Sequence, residues 1–486
     1  MSDDDQRVQS PCILAIDIGS SSTRVGLVDA QLTPVPDTLQ QVKYAIETGP
    51  DGRATLDSES LFRQVCELID RVLASGVAVH AAGISCFWHS LMGIDDSGKP
   101  TTPVLTWAET RAASSAKDFA ALDPGLHQRT GTPPHPSYPA IKLRWLRETC
   151  PETWKRTARW LSFAEYLQLR LHGEARVSRS MASGSGLLSR QSLTWDAKTC
   201  SLAGDIERDQ LSAIDDTPFV SLVDEFARRW PSLASIPWYP AIGDGAANNL
   251  GSGATDSSHP ALMIGTTGAM RLVTDSPPEI LSEGLWQYRI DGRRALLGGA
   301  LSEGGGVLDW LFRNLQLPDD NELDQALSSQ PPDGHGLTVL PWFAGERSPG
   351  WNPEATASIH GLRMNTTAVE ITRAVMESVA YSFAEIFEQL EPLLIEPVEV
   401  IATGNGLRKN RVWIQIIADT LGYPLLLPAS TEASLRGAAR FVLEREAPAH
   451  LPHGLTDMDR FEPVSERHMI YRQALQRRRD LQERLG

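Results

Sequence analysis

The chain of 486 residues has room for about three domains of ordinary size, or two large ones, and its 41% hydrophobic and 22% charged residues are globular in composition. Disordered and fibrous chains are excluded on that ground. A formal net charge of −16 disfavours nucleic acid and anionic membranes as partners, since the field of the whole molecule repels them.

In chain order, Met1-Ser2-Asp3-Asp4-Asp5 is acidic where a secretory leader is basic, and no apolar run approaches the roughly 20 residues of a membrane span. A soluble, cytoplasmic protein is expected. Ile13 to Ile18 is an apolar run stopped by Gly19-Ser20-Ser21-Ser22-Thr23, after which Val25, Leu27 and Val28 resume it; strand, tight turn and strand are predicted. From Asp57 to Ala74, Leu61, Val65, Leu68, Ile69 and Val72 recur at helical spacing behind an Asp/Ser start. Val77 to Ile84 then reads as a buried strand that delivers Ser85 to His89 at its C-terminal end, where open α/β sheets collect their ligands.

The second half repeats this grammar. Ala261 to Ile264 is apolar, Gly265-Thr266-Thr267-Gly268 is a hydroxyl-rich turn, and Met270, Leu272 and Val273 restart a strand. A long helix is predicted over 368–394, a strand over 398–402 ending at Thr403-Gly404-Asn405-Gly406, and a helix over 412–421. Two related α/β domains facing across a cleft follow from the repetition. Polar and turn residues between Gly251 and Pro260 mark the boundary, giving domains 1–254 and 255–486. The stretches 131–139 and 331–336 are proline-rich loops, and Tyr471 to Leu485, with arginines and acids interleaved, reads as a solvated terminal helix. Cys12, Cys66, Cys86, Cys150 and Cys200 are odd in number and scattered, so neither a disulfide framework nor a zinc site is expected.

The turn from Asp17 to Thr23 can cradle a phosphate with its N–H groups and hydroxyls, while Asp17 can hold Mg²⁺ directly or through water. It reads equally well as an ordinary Gly-Ser hairpin turn. The matching turn at Gly265 to Gly268 tips the balance, because two such turns from two domains can grip the phosphates of one nucleotide. Neither is a Walker loop, and there is no G-x-G-x-x-G. In Ile242-Gly243-Asp244-Gly245 a carboxylate stands between two glycines, unscreened from a substrate hydroxyl whose proton it could accept. A turn aspartate bonded to its own backbone is the commoner outcome.

Together these segments resemble the FGGY carbohydrate kinases. Ala15 to Arg24 resembles the family's first phosphate segment, Gly265 to Ala269 its second, and Gly243-Asp244-Gly245 the segment of its catalytic base. Gly298-Gly299-Ala300 with Gly304 to Trp310, Pro341 to Pro349, and Trp413 to Asp419 with Glu432-Ala433-Ser434 and Gly437-Ala438-Ala439 are similar to its later segments. The resemblance implies an α/β, two-domain actin-like (ribonuclease H-like) ATPase fold with a central interdomain cleft, and ATP-dependent phosphorylation of a sugar or sugar acid. It further implies Asp244 as catalytic base and substrate ligand, Asp17 and Asp244 as Mg²⁺ ligands, and ATP contacts at Gly19, Ser20, Ser21, Ser22, Gly265, Thr266, Thr267, Gly305, Asp309, Gly404, Gly406 and Asn410.

For the substrate, Trp88-His89-Ser90, Leu105 to Ala112 and Gly131 to Pro136 look most like the gluconokinase branch. Substrate contacts are accordingly expected from Trp88, His89, Ser90, Trp107, Glu109 and Arg111. Arg111 or His89 could meet a carboxylate and Glu109 could accept from sugar hydroxyls. Trp88 and Trp107 read equally as core residues, and His135 among its prolines as a structural one. Arg24 stands where the family often has Lys, and Glu109 where it usually has Asp. Thr403 to Asn410 looks more like the sedoheptulokinase branch, which keeps heptulose and xylulose kinases open. A sensor with the same fold that binds sugar and nucleotide without turnover is the alternative of another class; a homodimer is the candidate assembly.

Overall fold

Two β-hairpins, each closed by a glycine-hydroxyl turn, seed two sheets of one topology in a computed structural model that describes residues 11–452 and 457–485. The acidic Met1 to Asp5 lies outside the described residues. In the first half β1 (Ile13–Ile18) pairs antiparallel with β2 (Ser22–Val28), and β3 (Gln40–Lys43) adds to β2. Helix α1 (Ser58–Leu73) crosses over to β4 (Ala81–Cys86), parallel to β1, and β5 (Ile242–Gly243) joins parallel to β4. Every residue of β1 and β4 is buried, as expected for central strands covered on both faces.

Helix α2 (Asp244–Ser252) leads out of that sheet, and β6 (Ala261–Ile264), β7 (Gly268–Thr274), β8 (Trp286–Arg289) and β9 (Ala295–Leu301) open the second. Helices α3 (Gly305–Asn314) and α4 (Ala368–Leu390) follow, then β10 (Val400–Thr403), α5 (Arg411–Leu421), β11 (Leu425–Pro428), α6 (Ala433–Glu446), β12 (Met458–Phe461) and α7 (Ser465–Leu485). The five-stranded order β5-β4-β1-β2-β3 is answered by β11-β10-β6-β7-β9 inside the seven-stranded sheet, with β12 and β8 added at its edges.

Local chemistry sets the element ends. Asp57 caps α1 by accepting from Ser60 N, and Thr367 with Glu370 forms a capping box on α4, satisfying N–H groups that have no helical partner. Helix α4 stops at Leu390 instead of Leu394, since Pro392 cannot continue it. The strand expected from Val77 begins at Ala81, in register opposite Ile13. The terminal helix is also more than a solvated rod: Tyr471, Ala474, Leu475 and Arg478 are buried, and Arg478 pairs with Glu385 on α4.

Packing does not follow chain order. Leu435, Ala439, Phe441, Val442 and Leu443 of α6 belong to the core of the first sheet. Helix α6 crosses α2 so closely that a Cβ at Gly251 would overlap the Ala433 carbonyl, and one at Gly437 the Ala247 carbonyl. The two halves are therefore pinned by a backbone contact that only glycine permits. All five cysteines are free, and no helix among the described residues is long and apolar enough to cross a membrane.

Candidate active site

Asp17 near the end of β1 and Asp244 just beyond β5 bring two carboxylates to the same edge of the first sheet, with β4 between them. Asp17 is buried and accepts from Ser85 Oγ at 2.8 Å and from Arg24 Nη1 at 3.2 Å. Burial pushes its pKa up to about 6, opposed by Ser85 and Arg24 and reinforced by the charge of Asp244. Asp244 opens α2 and does not sit in a free turn; its Oδ1 accepts from Gly245 N at 2.8 Å. Burial raises its pKa too, and the positive charge of Arg271 opposes the rise. Asp17, Asp244 and the Ser85 hydroxyl offer oxygen ligands of the kind Mg²⁺ takes, with the Arg24 guanidinium paired to Asp17 beside them.

Asp244 stands where two cavities meet. One, of about 240 Å³, is walled by Thr403, Gly404, Asn405, Arg408, Ser430 and Thr431 from the second half. The other, of about 480 Å³, is lined by Trp88, His89, Trp107, His135, Tyr288, Glu346 and Arg347. Asp244, Met263 and Arg271 line both. A group bound in one cavity can thus be handed to a group bound in the other beside this carboxylate.

Residues 12–251 match the FGGY family of carbohydrate kinases, N-terminal domain, and residues 261–442 match its C-terminal domain. The chain belongs to the FGGY family of carbohydrate kinases. It is 29% identical to a gluconokinase of Bacillus subtilis (strain 168), over 88% of this chain and 86% of that protein. It is also 29% identical to a xylulose kinase of Escherichia coli (strain K12), over 71% and 72% of the two. A crystal structure of gluconate kinase from Lactobacillus acidophilus superimposes with a TM-score of 0.90 at 26% identity, covering 98% of each chain. The chain is accordingly an ATP-dependent carbohydrate kinase of the two-domain FGGY fold.

Of the residues expected to meet sugar in this FGGY kinase, Trp88, His89, Trp107 and Asp244 line the larger cavity. Trp88 donates through Nε1 to Ser180 O at 3.0 Å, and Trp107 through Nε1 to Ser20 Oγ at 3.2 Å. His89 is bonded through Nδ1 to Gly184 O at 2.6 Å, and burial lowers its pKa to about 3. It is a neutral ring. Ser90, Glu109 and Arg111 are not at the cavity. The Ser90 hydroxyl accepts from Phe163 N. Glu109 is buried, and its oxygens accept from Ala54 N, Arg111 N and the Arg111 guanidinium, which itself lies over the Trp145 ring. Glu109 and Arg111 are paired with each other, and the structure does not bring Ser90, Glu109 or Arg111 to the cavity that Trp88, His89 and Trp107 line.

Among the expected ATP contacts, the glycines converge. Gly305 N donates to Gly265 O at 2.7 Å and Gly306 N to Thr266 O at 3.0 Å; a Cβ at Gly404 or Gly406 would crowd Ile264. Thr267 reaches the larger cavity and Gly404 the smaller. In the first turn Gly19 N donates to Ser22 O at 2.9 Å, as in an ordinary hairpin, while Ser20 and Ser21 N–H have no backbone acceptor among the described residues. Asn410 caps α5, its Oδ1 accepting from Trp413 N, and Asp309 is exposed on α3 and lines neither cavity.

Sequence reasoning passed over Arg271, Arg347, Tyr138, Tyr288 and Lys142. The first left a signal, a lone charge between Met270 and Leu272 in an apolar strand. Tyr138 and Tyr288 join the two halves through their hydroxyls at 2.7 Å. Buried Lys142 donates to His89 O and Thr106 O, each at 2.6 Å, and so ties together the segments that carry His89 and Trp107.

Proposed function

We propose that this FGGY kinase phosphorylates a sugar acid, D-gluconate to 6-phosphogluconate, with Asp244 as general base. The observation that carries the reading is the position of Asp244 at the junction of a cavity lined by polar residues of the second half and an aromatic, donor-lined one. The gluconokinase of Bacillus subtilis and the gluconate kinase of Lactobacillus acidophilus support the substrate. ATP lies in the smaller cavity with its phosphates toward Thr267, and the acid lies in the larger one. Asp244 takes the proton of the primary hydroxyl, whose oxygen bonds to the γ-phosphorus as the bond to the ADP oxygen breaks. Its raised pKa makes it a stronger base than an ordinary carboxylate while it remains ionised above that pKa. Mg²⁺ held by Asp17 and Asp244 would neutralise charge on the phosphate oxygens.

A second reading, a ketose substrate such as xylulose or sedoheptulose, is favoured by the xylulose kinases among the relatives. Coupled ADP release with MgATP against D-gluconate, D-xylulose, sedoheptulose, ribulose and glycerol separates the two. Selective gluconate turnover is expected. Preference for a ketose overturns the substrate and keeps the chemistry, whereas ATP binding without any sugar-stimulated turnover indicates a sensor.

A further inference from the structure

Two guanidinium groups face the larger cavity, those of Arg271 and Arg347. Nη1 of Arg271 and Nε of Arg347 are buried with no hydrogen-bond partner among the described residues. Neither guanidinium makes any hydrogen bond or ion pair among the described residues, whereas buried Arg294 and Arg373 each meet a carboxylate and buried Arg190, Arg289 and Arg436 each donate to backbone carbonyls. Leaving a buried N–H unbonded costs free energy comparable to a lost hydrogen bond, so a guanidinium left unpaired at a cavity wall calls for an acceptor supplied by a ligand.

The two differ in place. Arg271 lines both cavities beside Asp244, at the point of phosphoryl transfer, whereas Arg347 lines the sugar side alone. In gluconate the carboxylate and the reacting primary hydroxyl are at opposite ends of the carbon chain. A group that reads the carboxylate must therefore stand away from Asp244. The charge of Arg347 is felt by His89, His135, Tyr138 and Tyr288 and also by Arg271; Glu346 lines the same wall, and both histidines are kept neutral by burial. Arg347 is then the cation available to an anion at that wall.

We infer that Arg347, and not Arg111, binds the carboxylate of the substrate and selects sugar acids over neutral sugars of the same length. The inference rests on the gluconate reading above and names the group that enforces it. Its guanidinium presents paired donors suited to a carboxylate, which a lysine ammonium matches only as a point charge.

The test is kcat/KM for D-gluconate against D-glucitol, which differ in the terminal carbon alone, in the wild-type enzyme and in Arg347→Met and Arg347→Lys. For wild type a large preference for gluconate is expected. In Arg347→Met the gluconate-to-glucitol ratio should fall about 100-fold, mostly through KM for gluconate, and Arg347→Lys should recover part of it. Melting temperature and binding of a non-hydrolysable ATP analogue report folding in both variants. Equal losses on the two substrates, or an unchanged ratio in both variants, overturn the role of Arg347 while leaving gluconate as substrate. A wild-type enzyme that turns over ketoses and no aldonate overturns the gluconate reading, and the carboxylate role with it.

Discussion

The indole of Trp88 fills the space that a side chain at Gly243 would occupy, one residue before the carboxylate proposed to accept the substrate proton. It is held there from two sides, since Gly184 is equally bare against the ring and Trp88 Nε1 donates to Ser180 O. Gly243 N in turn donates to Ser180 Oγ at 3.1 Å. The position of Asp244 is therefore set by contact between a glycine backbone and a wedged ring. Gly243→Ala should cost about 1–3 kcal/mol of stability through overpacking. It should also lower kcat by about 100-fold, because a displacement near 1 Å at the reacting group has that effect. Thermal melting and coupled ADP release check the two parts; normal melting with normal kcat contradicts the wedge.

Asp244→Asn removes the proposed proton acceptor while keeping size and much of the polarity. Turnover should fall by about 10² to 10⁴ if general-base help is what the residue supplies. Calorimetry with an ATP analogue should show nucleotide binding within a few-fold of wild type. Full turnover in the variant excludes Asp244 as the base, and loss of nucleotide binding instead assigns it to the phosphate site.

Lys142 makes the pH dependence of stability testable away from the reacting groups. Burial lowers its pKa from the ordinary 10.5 to about 7, against the pull of Glu109. Between those two values the unfolded chain holds a proton that the folded chain lacks, so folding is favoured more as pH rises. The neutral amine still has two N–H groups for the carbonyls of His89 and Thr106. Relative to Lys142→Met, the wild-type protein should gain about 1.4 kcal/mol per pH unit above pH 7, levelling off toward pH 10. Urea unfolding of both proteins at pH 7, 8 and 9 measures the difference; parallel curves contradict a charge-state change at this site.

The hairpins at β1–β2 and β6–β7 were legible because burial on both faces writes unbroken apolar runs, and the glycine-hydroxyl turns between them carry their own chemistry. Helices α1, α4 and α5 were legible from their period and caps. By contrast, the docking of α6 onto the first core has no periodic signature; it shows only as small residues, Gly251 and Gly437, whose reason is a neighbour far away in sequence. Glu109 and Arg111 are a related case. Their types suit a sugar acid, but nothing in a linear reading shows that a loop turns them upon each other. Arg271 was visible as a charge in an apolar strand, whereas Arg347 gains its meaning from what fails to pair with it.

Glu109 and Arg111 form a pair of unequal burial. The Glu109 side chain is 0% exposed and that of Arg111 is 24% exposed, with 2.7 Å between Oε2 and Nη2. Burial alone would raise the carboxyl pKa, and the hydrogen bonds from Arg111 and from Ala54 N reverse this, leaving it below its ordinary value. Breaking such a pair strands the remaining charge, so Glu109→Ala should lose about 3 kcal/mol of stability. The low end of the usual range applies because water reaches Arg111. Glu109→Asp keeps the charge but shortens its reach, and about 1 kcal/mol is expected from a weakened hydrogen bond. Since neither residue lines the larger cavity, relative kcat/KM among the sugars should hardly change in either variant. A Glu109→Gln protein with wild-type melting and a selectively raised KM for one sugar would return Glu109 to the substrate site and refute the structural role.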